Sequence, residues 1–170
     1  LGIVLTSRNN GSSKLELAGF PHHSLNTYLP KLVRSGLRVA ICDQLEAPSK
    51  EKKIVKRGVT ELVTPGVTLN DQILDHKSNN FLAAVALTKK GAGVAFLDVS
   101  TGEFLTAEGS IEYIDKLLHG FKHSEVLYKR NDKKLFNETI GHQFYTYGID
   151  EWVFTEDFGR ETLQNHFQTN

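Results

Sequence analysis

Apolar and polar positions follow two rhythms along the chain. From Gly2 to Thr6 a short apolar, β-branched run predicts a strand, and the Asn-, Gly- and Ser-rich stretch Arg8–Lys14 predicts an exposed loop behind it. Between Ser24 and Ser35 the spacing changes: Leu25, Tyr28, Leu29, Leu32 and Val33 recur at helical intervals, with Ser24 placed to cap the first turn and Gly36 to end the last. Pro30 lacks the amide hydrogen that an interior helical position donates, so a kink or two short pieces are expected. Leu37–Asp43 and Val59–Val63 have strand composition, separated by the charged stretch Pro48–Arg57, which reads as a long loop or the end of a helix.

Thr64-Pro65-Gly66 is a turn signal, and Thr68–Asn80 behind it has the composition of a linker. The expected organisation is therefore a domain over residues 1–66, a linker over 67–78 and a second domain over 79–170. In the second domain, Phe81–Thr88, Val94–Val99 and Glu103–Ala107 predict a three-stranded antiparallel meander. Ser110 is placed to cap a helix whose Ile111, Ile114, Leu117 and Leu118 form one apolar face ending at Gly120. Glu125–Tyr128 and Gln143–Tyr147 follow as strands, and Glu156–Phe167 as a helix behind a Thr155 cap. The fold class is α/β (α+β), a partial mixed sheet followed by the element order of ribonuclease-H-like domains.

Charge divides the chain where the pattern does. The formal net charge is zero, yet residues 1–66 carry ten Lys or Arg against five Asp or Glu (+5), and residues 67–170 carry ten against fifteen (−5). A basic half attracts a phosphate backbone and an acidic half suits protein contacts; an ordinary solvated surface is the other reading of the same numbers. No apolar run approaches the roughly 20 residues that cross a bilayer. Cys42, the single cysteine, lies in the apolar run Val39–Cys42 and reads as a small buried hydrophobe of a cytoplasmic protein. The chain opens at Leu1 inside a strand-like run, with no initiator methionine or signal peptide, and reads as a piece of a longer protein.

Candidate chemistry is sparse. A ribonuclease-H-type metal centre needs a carboxylate on the first strand of its fold, and Phe81–Thr88 has none. Asp98 is expected to accept backbone donors in the Ser100–Gly102 turn. No phosphate loop is present, and His22 and His23 have no His or Cys three to five positions away, so they read as surface or capping groups. No catalytic residue, metal or cofactor is expected of this chain.

Five ordered blocks carry a resemblance. Leu5-Thr6-Ser7-Arg8, then Leu17-Ala18-Gly19-Phe20-Pro21-His22-His23 continuing to Val39-Ala40-Ile41-Cys42-Asp43-Gln44-Leu45-Glu46, Val63-Thr64-Pro65-Gly66, Asn80-Phe81-Leu82-Ala83-Ala84 and Phe96–Phe104 resemble MutS proteins: the rear of the mismatch-recognition domain (domain I) and the connector (domain II). The resemblance implies bacterial DNA mismatch repair: a cytoplasmic, nucleoid-associated dimer that clamps mismatched or looped duplex DNA, engages MutL through the connector, and holds ATP and Mg in an ATPase domain beyond this chain. The family's Phe-x-Glu wedge lies upstream of these residues, so no autonomous mismatch recognition is expected. Block matching puts Arg8 and Arg57 against the DNA backbone and Leu17 near the minor groove, with Lys14 and Lys53 as weaker candidates. The leading expectation is a non-catalytic binding and relay fragment. Its alternatives are a protein-interaction module without DNA contact and a ribonuclease-H-like nucleic-acid-processing enzyme.

Overall fold

The computed structural model describes residues 2–11, 13–47, 54–68, 79–141 and 143–169. The chain divides into two compact units, Leu1–Pro65 and Gly66–Asn170. Most of the expected linker over 67–78, namely residues 69–78, lies outside the described residues, as does Lys53.

In the first unit, β1 (Leu5–Asn10) and β2 (Ser13–Ala18) pair antiparallel from Asn10↔Ser13 to Leu5↔Ala18. Most of the stretch expected to be a loop is therefore ladder, and Arg8 sits in a strand. Gly11, directly after the last pair Asn10↔Ser13, adopts φ 64°, which glycine reaches without strain, and the chain reverses there, so the flanking polar residues fall into register. One 3₁₀ turn, His22–Ser24, then leads into α1 (Leu25–Arg34). This helix is a single element despite Pro30, and Ser24 makes no side-chain cap. The carbonyl that Pro30 leaves without an intrahelical donor belongs to exposed Asn26, where water can reach it, while Leu29, Pro30 and Val33 gain burial. Gly36 ends the helix as expected, at φ 81°, with Gly36 N–H donating to Val33 O at 2.9 Å and Leu37 N–H to Leu32 O at 3.2 Å.

β3 (Val39–Gln44) and β4 (Arg57–Val63) form a second antiparallel pair with a register shift at Ile41/Cys42. Cys42 is exposed rather than buried, because this two-stranded ribbon leaves it on an open face. Few apolar side chains are buried in this unit. Leu29, Val33 and Val63 are, whereas Val4, Leu5, Ile54 and Val59 are 65% to 86% exposed.

The second unit is a five-stranded sheet in the order β7-β6-β5-β8-β9, built from β5 (Phe81–Thr88), β6 (Gly91–Asp98), β7 (Glu103–Gly109), β8 (His123–Lys129) and β9 (Thr146–Ile149). β5, β6 and β7 are the expected meander, and β8 and β9 add in parallel on the other side of β5. This is the ribonuclease-H-like arrangement that the element order predicted. The crossover α2 (Ile111–Gly120) begins as expected, with Ser110 Oγ accepting from Tyr113 N–H at 3.2 Å. One sheet face, including Ala83, Val85, Val94, Phe96, Val126 and Tyr128, packs with Ile114 and Leu118 of α2 and Phe136 of α3 (Lys133–Thr139) into a single core.

The pattern did not predict α3, whose Phe136 is its one fully buried side chain and gives no helical periodicity. Instead of a strand over Gln143–Tyr147, β9 starts at Thr146. Pairing is led in by Val126 N–H donating to Tyr145 O at 2.8 Å. α4 (Glu156–Phe167) follows, but Thr155 does not cap it: its hydroxyl donates back to Trp152 O at 2.7 Å. No described helix is long and apolar enough to cross a membrane.

Two histidines hold the segment entering β9. The Phe144 ring lies 5.2 Å from that of His119 at the end of α2 and 4.7 Å from that of His123 at the start of β8. His119 Nδ1 lies 2.8 Å from Asp115 O and 3.4 Å from Asp115 Oδ1, and these contacts raise its pKa above 6.5, the backbone bond foremost. Burial pushes His123 below 6.5, and its Nε2 is buried without a hydrogen-bond partner. The signs are opposite: the His119 contribution is lost as pH rises through its raised folded value, and the His123 contribution is lost as pH falls from 6.5 toward its lowered one. The stability of the second unit should therefore peak near pH 6.5 in chemical denaturation series. A His123→Gln variant should lose the decline that sets in just below pH 6.5 and keep the one that Asp98 causes below pH 3.8; if the former is unchanged, His123 is not its source.

Candidate nucleic-acid interface

The pairing register decides which of the expected contact residues share a surface. Thr6↔Leu17 and Arg8↔Leu15 are partners, so Thr6, Arg8, Leu15 and Leu17 stand on one face of the β1–β2 hairpin. Ser7↔Glu16 and Asn9↔Lys14 put Lys14 on the opposite face, beside Glu16. Arg8 and Leu17 are thus brought together, and Lys14 is not with them. The Arg8 face carries no carboxylate, and Thr6, Arg8, Leu15 and Leu17 on it are exposed, whereas a carboxylate beside Lys14 weakens its attraction for phosphate. Exposed Leu15, next to Arg8, escaped the sequence reading; its alternation with Leu17 along β2 was the available signal.

Arg57 opens β4 on the other hairpin, paired with Gln44, and Cys42↔Val59 lie on the same face. The nearby carboxylate Asp43 is on the opposite face with Gly58, where it accepts from Thr60 Oγ1 at 2.7 Å. Leu45 N–H donates to Lys56 O at 2.9 Å, and Lys56 N–H donates to Glu46 Oε1 at 2.9 Å, which secures the strand ends around Arg57. Arg8 and Arg57 therefore occupy two separate ribbons, and the strand residues that share each arginine's face are free of acid; just past β3, Glu46 lies on the Arg57 side, with its Oε1 taken up by Lys56 N–H. Among the described residues neither makes an ion pair, which leaves both guanidinium forks open to an anion.

The remaining candidates are structural. His22 and His23 lie exposed in their 3₁₀ turn, and among the described residues no three His, Cys, Asp or Glu are grouped to hold a metal. Asp98 is buried and caps its turn: Oδ1 accepts from Ser100 N–H at 2.9 Å, Ser100 Oγ at 2.6 Å and Thr101 N–H at 3.3 Å, and Oδ2 accepts from Asn80 N–H at 3.0 Å. Burial raises its pKa, but the hydrogen bonds from Ser100, Asn80 and Thr101 outweigh it and hold the carboxyl below 3.8.

Comparison with known proteins fits this geometry into a family. MutS domain I matches residues 1–72 and MutS domain II matches residues 80–170, more than half of the chain. The chain belongs to the MutS family. It is 64% identical over 169 residues to the DNA mismatch repair protein MutS of Christiangramia forsetii, covering 99% of the chain and 19% of that relative. With MutS of Flavobacterium johnsoniae it shares 61% identity over 171 residues, covering 100% of the chain and 20% of the relative, and with MutS of Bacteroides fragilis 59% over 170 residues, covering 99% and 20%. The chain thus spans about a fifth of the MutS proteins it matches. The first unit corresponds to MutS domain I and the second to MutS domain II.

Proposed function

We propose that this part of a MutS protein rests on duplex DNA through the first unit and relays that state through the second, without catalysis of its own. The observation that carries the reading is the pair of hairpin faces, without acid among their paired strand residues, that present Arg8 with Leu17, and Arg57. Arginine forks of this kind meet phosphates in any sequence, and so supply position and affinity rather than mismatch selection. Lys14, on the face it shares with Glu16, is a secondary contact. Asp98 supports the non-catalytic reading, because both of its oxygens are committed to backbone and turn donors. In the whole MutS protein the partners would be mismatched or looped duplex, a second MutS copy, and MutL at the second unit, with ATP and Mg held outside these domains.

Duplex affinity measured across a salt series tests this. The proposal expects log K to fall linearly with log salt, equally for homoduplex and mismatched duplex. Binding indifferent to salt, or none, would leave the second unit's acidic surface as the functional one and favour a protein-interaction module.

A further inference from the structure

Residues Gly66–Thr68 match MutS domain I in sequence but pack as part of the second unit. Burial alternates along them: Gly66 and Thr68 are buried and Val67 is exposed, the pattern of an extended segment lying on a surface. That surface is the start of the β5–β8 pair. A Cβ added to Gly66 would stand 2.7 Å from Leu82 Cδ1, 3.2 Å from Leu82 Cβ and 3.1 Å from Glu125 Cβ. The leucine methyl could rotate aside. The two Cβ atoms cannot, since Leu82 and Glu125 are ladder partners fixed by the sheet. Glycine is thus the residue that allows the backbone to approach this closely. The strap side is the sheet face turned away from α2 and α3, because Leu82 alternates with the core residues Phe81 and Ala83.

We propose that Gly66–Thr68 is a strap fastening the incoming chain to β5 and β8, so that a pull on Pro65 is delivered directly to the centre of the second unit's sheet. The proposal rests on the relay reading above and gives it a load path, with Gly66 and Leu82 as positioning residues. A side chain at position 66 lifts the strap; a change at the outward position 67 does not.

Amide hydrogen exchange of the 170-residue chain tests it. In Gly66→Val, amides of 66–68 and of the first residues of β5 and β8 should exchange about tenfold faster, while β6 and β7 keep their protection. Val67→Ala should leave all of these unchanged. Unaltered protection in Gly66→Val, or acceleration spread evenly over the sheet, would overturn the strap. Saturating duplex DNA should then change strap protection in the parent but not in Gly66→Val. DNA that binds without altering the strap in the parent refutes the load path. Should DNA not bind at all, the proposed function fails, and the strap is judged on exchange without DNA.

Discussion

Replacing Arg8 and Arg57 together by alanine is expected to weaken duplex binding and to lower the slope of log K against log salt by about 1.8, since each phosphate left unneutralised on B-form DNA removes about 0.9. Between 50 and 200 mM salt, the affinity gap between parent and variant should then narrow about twelvefold. Homoduplex and mismatched duplex should be affected alike, because phosphate contacts carry no base information. Lys14→Ala should have a smaller effect, since Glu16 shares the face of that lysine. The comparison also needs acidic substitutions in the second unit that disturb nothing else. Asp150 and Glu151 do not qualify: Asp150 pairs with Arg130 at 2.6 Å, and Glu151 lies 3.6 Å from Lys129 Nζ and accepts from Asn131 at 2.9 Å. Glu108→Gln with Glu161→Gln is the better control, both side chains being exposed. A double arginine variant that keeps the parent's affinity and slope would remove the proposed DNA face altogether.

The second large effect concerns independence. Residues 66–170 alone should unfold cooperatively, and residues 1–65 alone should not fold. All twelve residues of the buried hydrophobic cluster, from Phe81 to Ile140, belong to the second unit. Phe96 stacks on Phe121 at 4.7 Å and Tyr128 on Phe136 at 4.6 Å inside or against that core. Truncating Phe96 to alanine should cost about 3–5 kcal/mol, a large share of the roughly 5–15 kcal/mol that stabilises a domain. The first unit offers no comparable burial, because both of its ribbons are two-stranded and expose most of their apolar residues. A well-dispersed amide spectrum from residues 1–65 alone would contradict this. Starting the stable piece at Gly66 also keeps the strap.

What could be read from sequence follows from how local each signal is. The meander, α2 and its Ser110 cap were legible because alternation, short turns and a cap act within a few residues. So was the role of Asp98, whose main donors are two and three positions away. The β1–β2 hairpin was hidden because polar composition masks the reversal at Gly11, and the exposure of Cys42 because an apolar run does not say whether a second layer covers it. For the interface, residue types could be named, but separating Arg8 from Lys14 needed the pairing register. The place of Gly66 was invisible, since it depends on Leu82 and Glu125, far along the chain.

The position of β5 also bears on the order in which the second unit assembles. β5 meets β6 across a two-residue turn, Lys89-Lys90, whereas its parallel partner β8 begins only at His123, after β6, β7 and α2 have been made. Closing the short turn loses little chain entropy, and the longer crossover loses more before any pairing compensates it. The β5–β6 hairpin is therefore the natural nucleus, with β8 and then β9 joining late in the folding reaction. Substitutions at Val94 should accordingly slow folding, and those at Val126 should chiefly hasten unfolding.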